Sequence, residues 1–271
     1  MIQDIYPHKL INSFRNRDIK IGDILMFFDG EGRIYANVDD GLKFPVCKDP
    51  SDSEAIFLFE VDDRDYFLSK KTAQDMEGFS YYTVRQLRDL AAGAELFAAF
   101  TAYHLWKWYD DNRFCGKCAG ALIPDTKERA MRCPECGNII YPRINPAVIV
   151  GVKKGDCLLI TRYRRGYAHN ALVAGFTEIG ETLEETVARE VMEETGVKVT
   201  NIRYYRSQPW GMAQDMLVGF FCDADGDGNI RMDENELKYA EWVKREEIEL
   251  QPNDLSLTND MMKAFKNNTI V

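Results

Sequence analysis

The stretch GFTEIGETLEETVAREVMEETGV, Gly175 to Val197, holds seven Glu among 23 residues and a single cation, Arg189. Its order leaves few folds open. Thr182 followed three residues later by Glu185 is a capping box that starts a helix, and Gly196 suits its end. Between them Leu183, Val187, Ala188 and Val191 make an apolar stripe. At about 100° per residue, Glu190, Glu193 and Glu194 fall within about 100° of arc beside that stripe. Glu190 and Glu194 are a like-charge i, i+4 pair, which costs a helix about 0.2–0.5 kcal/mol. A merely solvated acidic face would carry interspersed Lys, and none appears until Lys198. A hard divalent cation satisfies these carboxylates better and leaves coordination positions for water and phosphate. The segment predicts a helix bearing a Mg2+ or Mn2+ site for phosphate chemistry.

Four of the seven cysteines form a second pattern: Cys115 and Cys118, then 14 residues, then Cys133 and Cys136. Two tight CxxC turns aim four sulfurs at one point, the tetrahedral thiolate set of a structural zinc. Disulfides are the competing reading, disfavoured in a reducing compartment. A closed four-ligand site holds a fold together and does no chemistry. Cys47, Cys157 and Cys222 read as buried free thiols.

A chain of 271 residues, 45% hydrophobic and 29% charged, is expected to be a soluble protein of about two domains. Its net charge of −10 argues against non-specific gripping of nucleic acid, which rests on Lys and Arg at phosphates. The start, MIQDIYPHKL, lacks a basic stretch followed by an apolar core, and no run approaches a membrane span, so a cytoplasmic protein is expected. Residues 1–80 alternate short apolar runs with Asp, Gly and Pro and read as β-rich. Residues 83–111 turn helical, with an aromatic stripe that includes Phe97, Tyr103 and Trp106 and reads as core packing. PAVIVGV, DCLLITRY and MLVGFFC read as strands. Three regions follow: a β-rich N-terminal domain ending in a helix (1–113), a zinc module (114–142) and an α/β domain (143–271).

Gly175, Glu181 and the run Arg189-Glu190-Val191-Met192-Glu193-Glu194-Thr195-Gly196-Val197 match the Nudix box at every defined position, and the chain resembles that hydrolase family. The resemblance implies an α/β/α sandwich around a mixed sheet and hydrolysis of a diphosphate joined to another moiety. It implies that Glu190 and Glu194 hold the metal, that Glu193 is a further ligand or activates water, and that Arg189 and Glu181 orient them. The zinc ribbon just before the box, and SQPW (Ser207, Gln208, Pro209, Trp210) after it, resemble the bacterial NADH pyrophosphatases. That likeness implies cleavage of NADH or NAD+ to nicotinamide mononucleotide and AMP, with removal of NAD caps from RNA as a further possibility, and a homodimer. By the same likeness Tyr141, Phe176 and Trp210 supply rings for stacking. Ala174 and Thr258 meet substrate through backbone, and Glu236 adds a metal ligand.

Two features pull elsewhere. The family continues SQPWPFPxS where this chain has SQPWGMAQDM, so Gly211, Met212 and Ala213 replace a stiff Pro-aromatic-Pro segment. A looser loop and weaker discrimination are expected, with ADP-ribose or other nucleoside diphosphate derivatives as alternative substrates. A nucleotide-binding regulator without turnover is a further alternative, opposed by the intact box. Asp223 to Glu234, DADGDGNIRMDE, fits an EF-hand calcium loop. The preceding segment is β-like, however, and Arg231 sits at position 9, so a strand, a turn and a second strand are expected.

Overall fold

Alternation along one strand organises the C-terminal half of the chain. Val148, Val150 and Val152 belong to one buried cluster, and Ile149 between them belongs to another. A strand with both faces covered is a central strand. In the computed structural model, which describes residues 1–51, 54–164 and 169–270, that strand lies in one of two compact units. This unit comprises Met1, Ile144–Trp210 and Asp215–Val271; the other comprises Ile2–Arg143 and Gly211–Gln214.

The second unit begins with β1 (Leu10–Ile11), β2 (Ile24–Met26), β3 (Ile34–Ala36), β4 (Ile56–Val61), β5 (Arg64–Leu68) and β6 (Ser80–Tyr82). Four of these form a sheet in the order β1-β4-β5-β2, and β3 pairs with β6. Residues 83–111, expected as one helical stretch, form two helices, α1 (Val84–Leu90) and α2 (Ala94–Asp111). The break is at Gly93, whose φ of 81° lies outside the helical region. Trp106 of α2 stacks on Phe28 with centroids 5.0 Å apart, so the aromatic stripe is core packing. After α2 come β7 (Ile123–Pro124), β8 (Met131–Arg132) and β9 (Ile139–Ile140), a small antiparallel sheet.

The first unit holds β10 (Asn145–Lys154), β11 (Cys157–Tyr163), β12 (Val173–Phe176), α3 (Leu183–Thr195), β13 (Lys198–Trp210), β14 (Asp215–Asp225), β15 (Leu237–Lys244) and α4 (Leu257–Lys266). Its sheet runs β13-β14-β10-β11-β15, with β12 added on β10. The β10–β14 pair is parallel and the other pairings are antiparallel, a mixed sheet. Val187 and Val191 of α3 join the cluster of Val148 and Val150; Met261, Met262 and Phe265 of α4 join the cluster of Ile149. Helices on both faces give the α/β/α sandwich expected from the sequence.

The segment Asp223–Glu234 departs from its expected hairpin. Strand β14 ends at Asp225 and a turn follows at Gly226, but the next strand starts only at Leu237 and pairs with β11. The intervening backbone serves α3 instead. Arg231 N–H donates to Thr195 O at 2.7 Å, and Asp233 N–H donates to Glu194 O at 2.8 Å. These contacts satisfy carbonyls that a helix end leaves open. The EF-hand reading fails on the element before the loop, which is a strand. Among the described residues no helix is long and apolar enough to cross a membrane.

Candidate active site

Helix α3 starts and stops where its sequence dictates. Thr182 Oγ1 accepts from Glu185 N–H at 3.2 Å, and Glu185 Oε2 accepts from Thr182 N–H at 2.8 Å. Gly196 ends it with φ 69°. Arg231 Cβ would lie 3.1 Å from a Cβ at this position, so both conformation and space call for glycine.

The helical wheel needs one correction. Ala188, read as part of the apolar stripe, is exposed, and Glu194 lies in the buried face, only 2% exposed. Placing a carboxylate on the core side of a helix is costly unless it is paired or protonated. Burial, the largest cause, and the charges of Glu190 and Glu236 push the Glu194 carboxyl up to about 8, against hydrogen bonds that favour its ionised form. Burial likewise raises Glu190. Two carboxylates are thus held on the sheet-facing side of α3.

Arg189 is the cation that the glutamates require. Its Nε and Nη2 donate to the two oxygens of Glu181 at 2.6 and 2.9 Å, its Nη1 to Glu190 at 2.7 Å and Glu193 at 3.0 Å. Nη2 also donates to Phe176 O at 2.9 Å. This fork fixes the loop after β12 to the helix. It draws the Glu181 carboxyl down to about 2, helped by the Glu178 N–H and the Thr186 hydroxyl. Glu181 and Arg189 therefore stay paired as charged groups.

Among the described residues only the four cysteines bring three or more ligand atoms within 4.8 Å of one another. Glu190, Glu193, Glu194 and Glu236 do not close to that distance, and Arg189 holds two of them. Glu236 lies just before β15, and its charge is among the lesser causes that raise Glu190 and Glu194. The donors are carboxylate oxygens, which fit Mg2+ or Mn2+ and leave room for phosphate oxygens.

The remaining predicted residues divide between the two units. In the unit with the box, Phe176 is 52% exposed at the end of β12, a flat surface open to a ligand. Trp210 is half-buried at the end of β13. Ala174, expected to meet substrate through its backbone, donates its N–H to the hydroxyl of Tyr163 at 3.1 Å. Ser207 is exposed and accepts from the Tyr204 hydroxyl at 3.4 Å. Pro209 is half-buried in β13. Gln208 is fully buried; its Nε2 donates to Leu255 O at 2.8 Å and its Oε1 accepts from Leu257 N–H at 2.7 Å. It shapes the turn that presents Thr258 at the start of α4. In the other unit Tyr141 is 56% exposed and its hydroxyl donates to Glu128 at 2.9 Å.

Gly211 has a packing reason of its own. A Cβ there would overlap the carbonyl oxygen of Phe100, so the glycine marks a close backbone approach. Gln214 N–H donates back to Gly211 O at 3.3 Å, and Arg143 Nε donates to Gln214 Oε1 at 3.2 Å.

The cysteine site is built from two matched turns. Cys115 N–H donates to Gly120 O and Ala119 N–H to Cys115 O; Cys133 N–H donates to Asn138 O and Gly137 N–H to Cys133 O. Ala119 and Gly137 take φ of 62° and 72°. The sulfurs of Cys115 and Cys136 are 3.7 Å apart, those of Cys118 and Cys133 3.4 Å. A zinc tetrahedron with bonds of about 2.3 Å has edges of about 3.8 Å, so the set fits zinc. Backbone N–H groups of Lys117 and Cys118 pull the Cys115 thiol down to about 6, against desolvation.

Comparison with known proteins agrees with this geometry. Residues 142–265 match the NUDIX domain, and residues 110–141 match the NADH pyrophosphatase zinc ribbon domain. The chain is 39% identical over 190 residues to the NAD-capped RNA hydrolase NudC of Enterobacter sp. (strain 638), covering 69% of this chain and 70% of that protein. It is 41% identical over 173 residues to the protein of the same name from Shigella dysenteriae serotype 1 (strain Sd197), covering 63% of this chain and 66% of that one. In fold it is similar to a NUDIX hydrolase from Nitrosomonas europaea, with a TM-score of 0.50, 22% identity, 58% of this chain and 92% of that one covered. The chain belongs to the NUDIX family of hydrolases. It carries the zinc ribbon of the NADH pyrophosphatases directly before its NUDIX domain.

Proposed function

We propose that the chain hydrolyses the diphosphate of NADH and NAD+, giving nicotinamide mononucleotide and AMP, and that it also removes NAD caps from RNA. The observation that carries this reading is the arrangement on α3, where Glu190 and the buried Glu194 lie together under the Arg189–Glu181 clamp. In this reading Glu190, Glu193, Glu194 and Glu236 hold Mg2+ or Mn2+. Such an ion, when bound, neutralises charge on the diphosphate and makes water more acidic.

The chain's own groups do the rest. Arg189 holds Glu190 and Glu193 beside each other and ties the box helix to Phe176 O. Phe176 and Trp210 offer rings for a base or nicotinamide to stack on, and the likeness to the NADH pyrophosphatases gives Tyr141 a stacking role as well. Water adds to one phosphorus, the bridging oxygen leaves with the other phosphate, and close to two protons are released at neutral pH, because both products are phosphate monoesters with a second pKa of about 6. The four cysteines hold one structural zinc. The protein is proposed to be cytoplasmic and homodimeric, on the likeness to the NADH pyrophosphatases. The names of the NudC relatives support the capped-RNA activity.

The test is Glu190→Gln and Glu194→Gln, each of which removes a charge without changing volume. Turnover of NADH at saturating Mg2+ or Mn2+ should fall by more than about 100-fold, with zinc content and fold retained. Wild-type turnover in either variant refutes the assignment.

A further inference from the structure

Tyr163 is the side chain that the motif does not contain and the site cannot ignore. It ends β11, where the register with β15 shifts between Arg162 and Tyr163. Such an irregularity re-aims a side chain. The Tyr163 hydroxyl lies 3.0 Å from Glu194 Oε1 and 3.2 Å from Oε2, and it accepts the Ala174 N–H at 3.1 Å. A hydroxyl has one proton to give. Ala174 O lies 3.4 Å away and the Glu194 oxygens are nearer, so the Glu194 carboxylate is the favoured acceptor of that proton.

We propose that Tyr163 is the positioning residue for Glu194, holding that carboxylate in the orientation in which it binds the divalent cation. This rests on the reading of Glu194 as a metal ligand. A carboxylate on an ethylene stem turns about its terminal torsion over a broad range. A ligand that must be oriented on binding binds less tightly than one already fixed. Helix α3 fixes the backbone of Glu194, and the bond to Tyr163 fixes its head group. The chain of contacts runs from the strand amide of Ala174, through the phenol, to the metal-binding oxygens. Outer partners of this kind change metal affinity by about 10- to 100-fold when removed. Because the phenol touches neither substrate nor the reacting atoms, its loss should appear in metal affinity and leave the substrate KM unmoved.

The experiment is Mn2+ binding by calorimetry to wild type, Tyr163→Phe and Glu194→Gln, alongside kcat and KM for NADH across a Mn2+ titration. Tyr163→Phe is expected to raise the Mn2+ dissociation constant by about 10- to 100-fold. Saturating Mn2+ should restore its kcat to within a few-fold, at unchanged KM. Wild-type Mn2+ affinity in Tyr163→Phe, with Glu194→Gln impaired, overturns the positioning role. Wild-type affinity in Glu194→Gln overturns the metal-ligand reading itself. Should Tyr163→Phe fail to fold, carbon-13 NMR of tyrosine Cζ in wild type decides. Mg2+ should shift one tyrosine signal in wild type and none in Glu194→Gln, and identical responses in the two refute the coupling.

Discussion

The carboxylate of Glu190 occupies the space that a Cβ on residue 175 would fill. The first residue of the box is glycine because a carboxylate from the helix lies directly over the strand backbone. The group that a new methyl meets is the end of a flexible side chain, so it moves while the backbone stays.

Gly175→Ala is therefore expected to swing Glu190 out of place with little loss of stability. Misplacing a reacting group by about 1 Å costs on the order of 100-fold in rate. NADH turnover should fall by about that factor, and the change should be far from additive with Glu190→Gln, since both remove the same group. Additive losses in a double-mutant cycle contradict the relationship.

Glu194 makes the metal-free protein sensitive to pH. Its folded carboxyl is raised to about 8, chiefly by burial, from an ordinary 4.5. An acid raised on folding is bound to its proton more tightly in the native state. Its contribution is fully present below about pH 4.5 and is lost as pH rises from there toward 8. Glu194→Gln in the presence of EDTA should match wild type near pH 5 and melt higher at pH 8, by about 2–4 °C for each kcal/mol released. Adding Mn2+ should raise the melting temperature of wild type more than that of the variant. A variant less stable than metal-free wild type at pH 8 speaks against a strained, buried carboxyl.

The zinc site has a separate expectation. Cys133 is buried and closes one of the two turns through its own N–H and C=O. Cys133→Ser should remove about one zinc per chain and lower stability by several kcal/mol, because zinc binding is part of folding free energy. Activity per folded molecule should fall much less. Elemental analysis and thermal melts in parallel decide it.

Gly211 gives the fourth expectation. Pro-Phe-Pro at 211–213, the segment of the NADH pyrophosphatases, places ring atoms where Phe100 O already lies. Gly211→Pro should destabilise this chain by about 1–3 kcal/mol as overpacking does. A stabilising Gly211→Pro, read by thermal melt, shows that the backbone relaxes there.

The box helix, its caps, the grouping of its carboxylates and the cysteine cluster were legible because each depends on short-range spacing. Thr182 and Glu185 find each other within one turn, and Cys115 and Cys118 within one knuckle. Tyr163 was not legible, because its partner Glu194 is 31 residues away and only the β11–β15 irregularity brings the phenol to it. A tyrosine at the end of an otherwise aliphatic strand, DCLLITRY, was the available signal. The part of Asp223–Glu234 after its turn was misread as a second strand because its backbone is engaged by tertiary contacts to Glu194 and Thr195. Gly211 likewise looked like a loosened proline until the Phe100 carbonyl was seen against it.

The central claim, that this metal-carboxylate site cuts NAD(H), is tested most directly by one comparison of kcat/KM. NADH, NAD+, ADP-ribose, dinucleoside polyphosphates, FAD and NAD-capped RNA are each supplied with Mg2+ and with Mn2+, and products are identified by mass. The account predicts that NADH leads the free nucleotides and yields AMP and reduced nicotinamide mononucleotide, and that NAD-capped RNA is also cut within its cap diphosphate. ADP-ribose or another class far ahead of NADH, with capped RNA untouched, contradicts it.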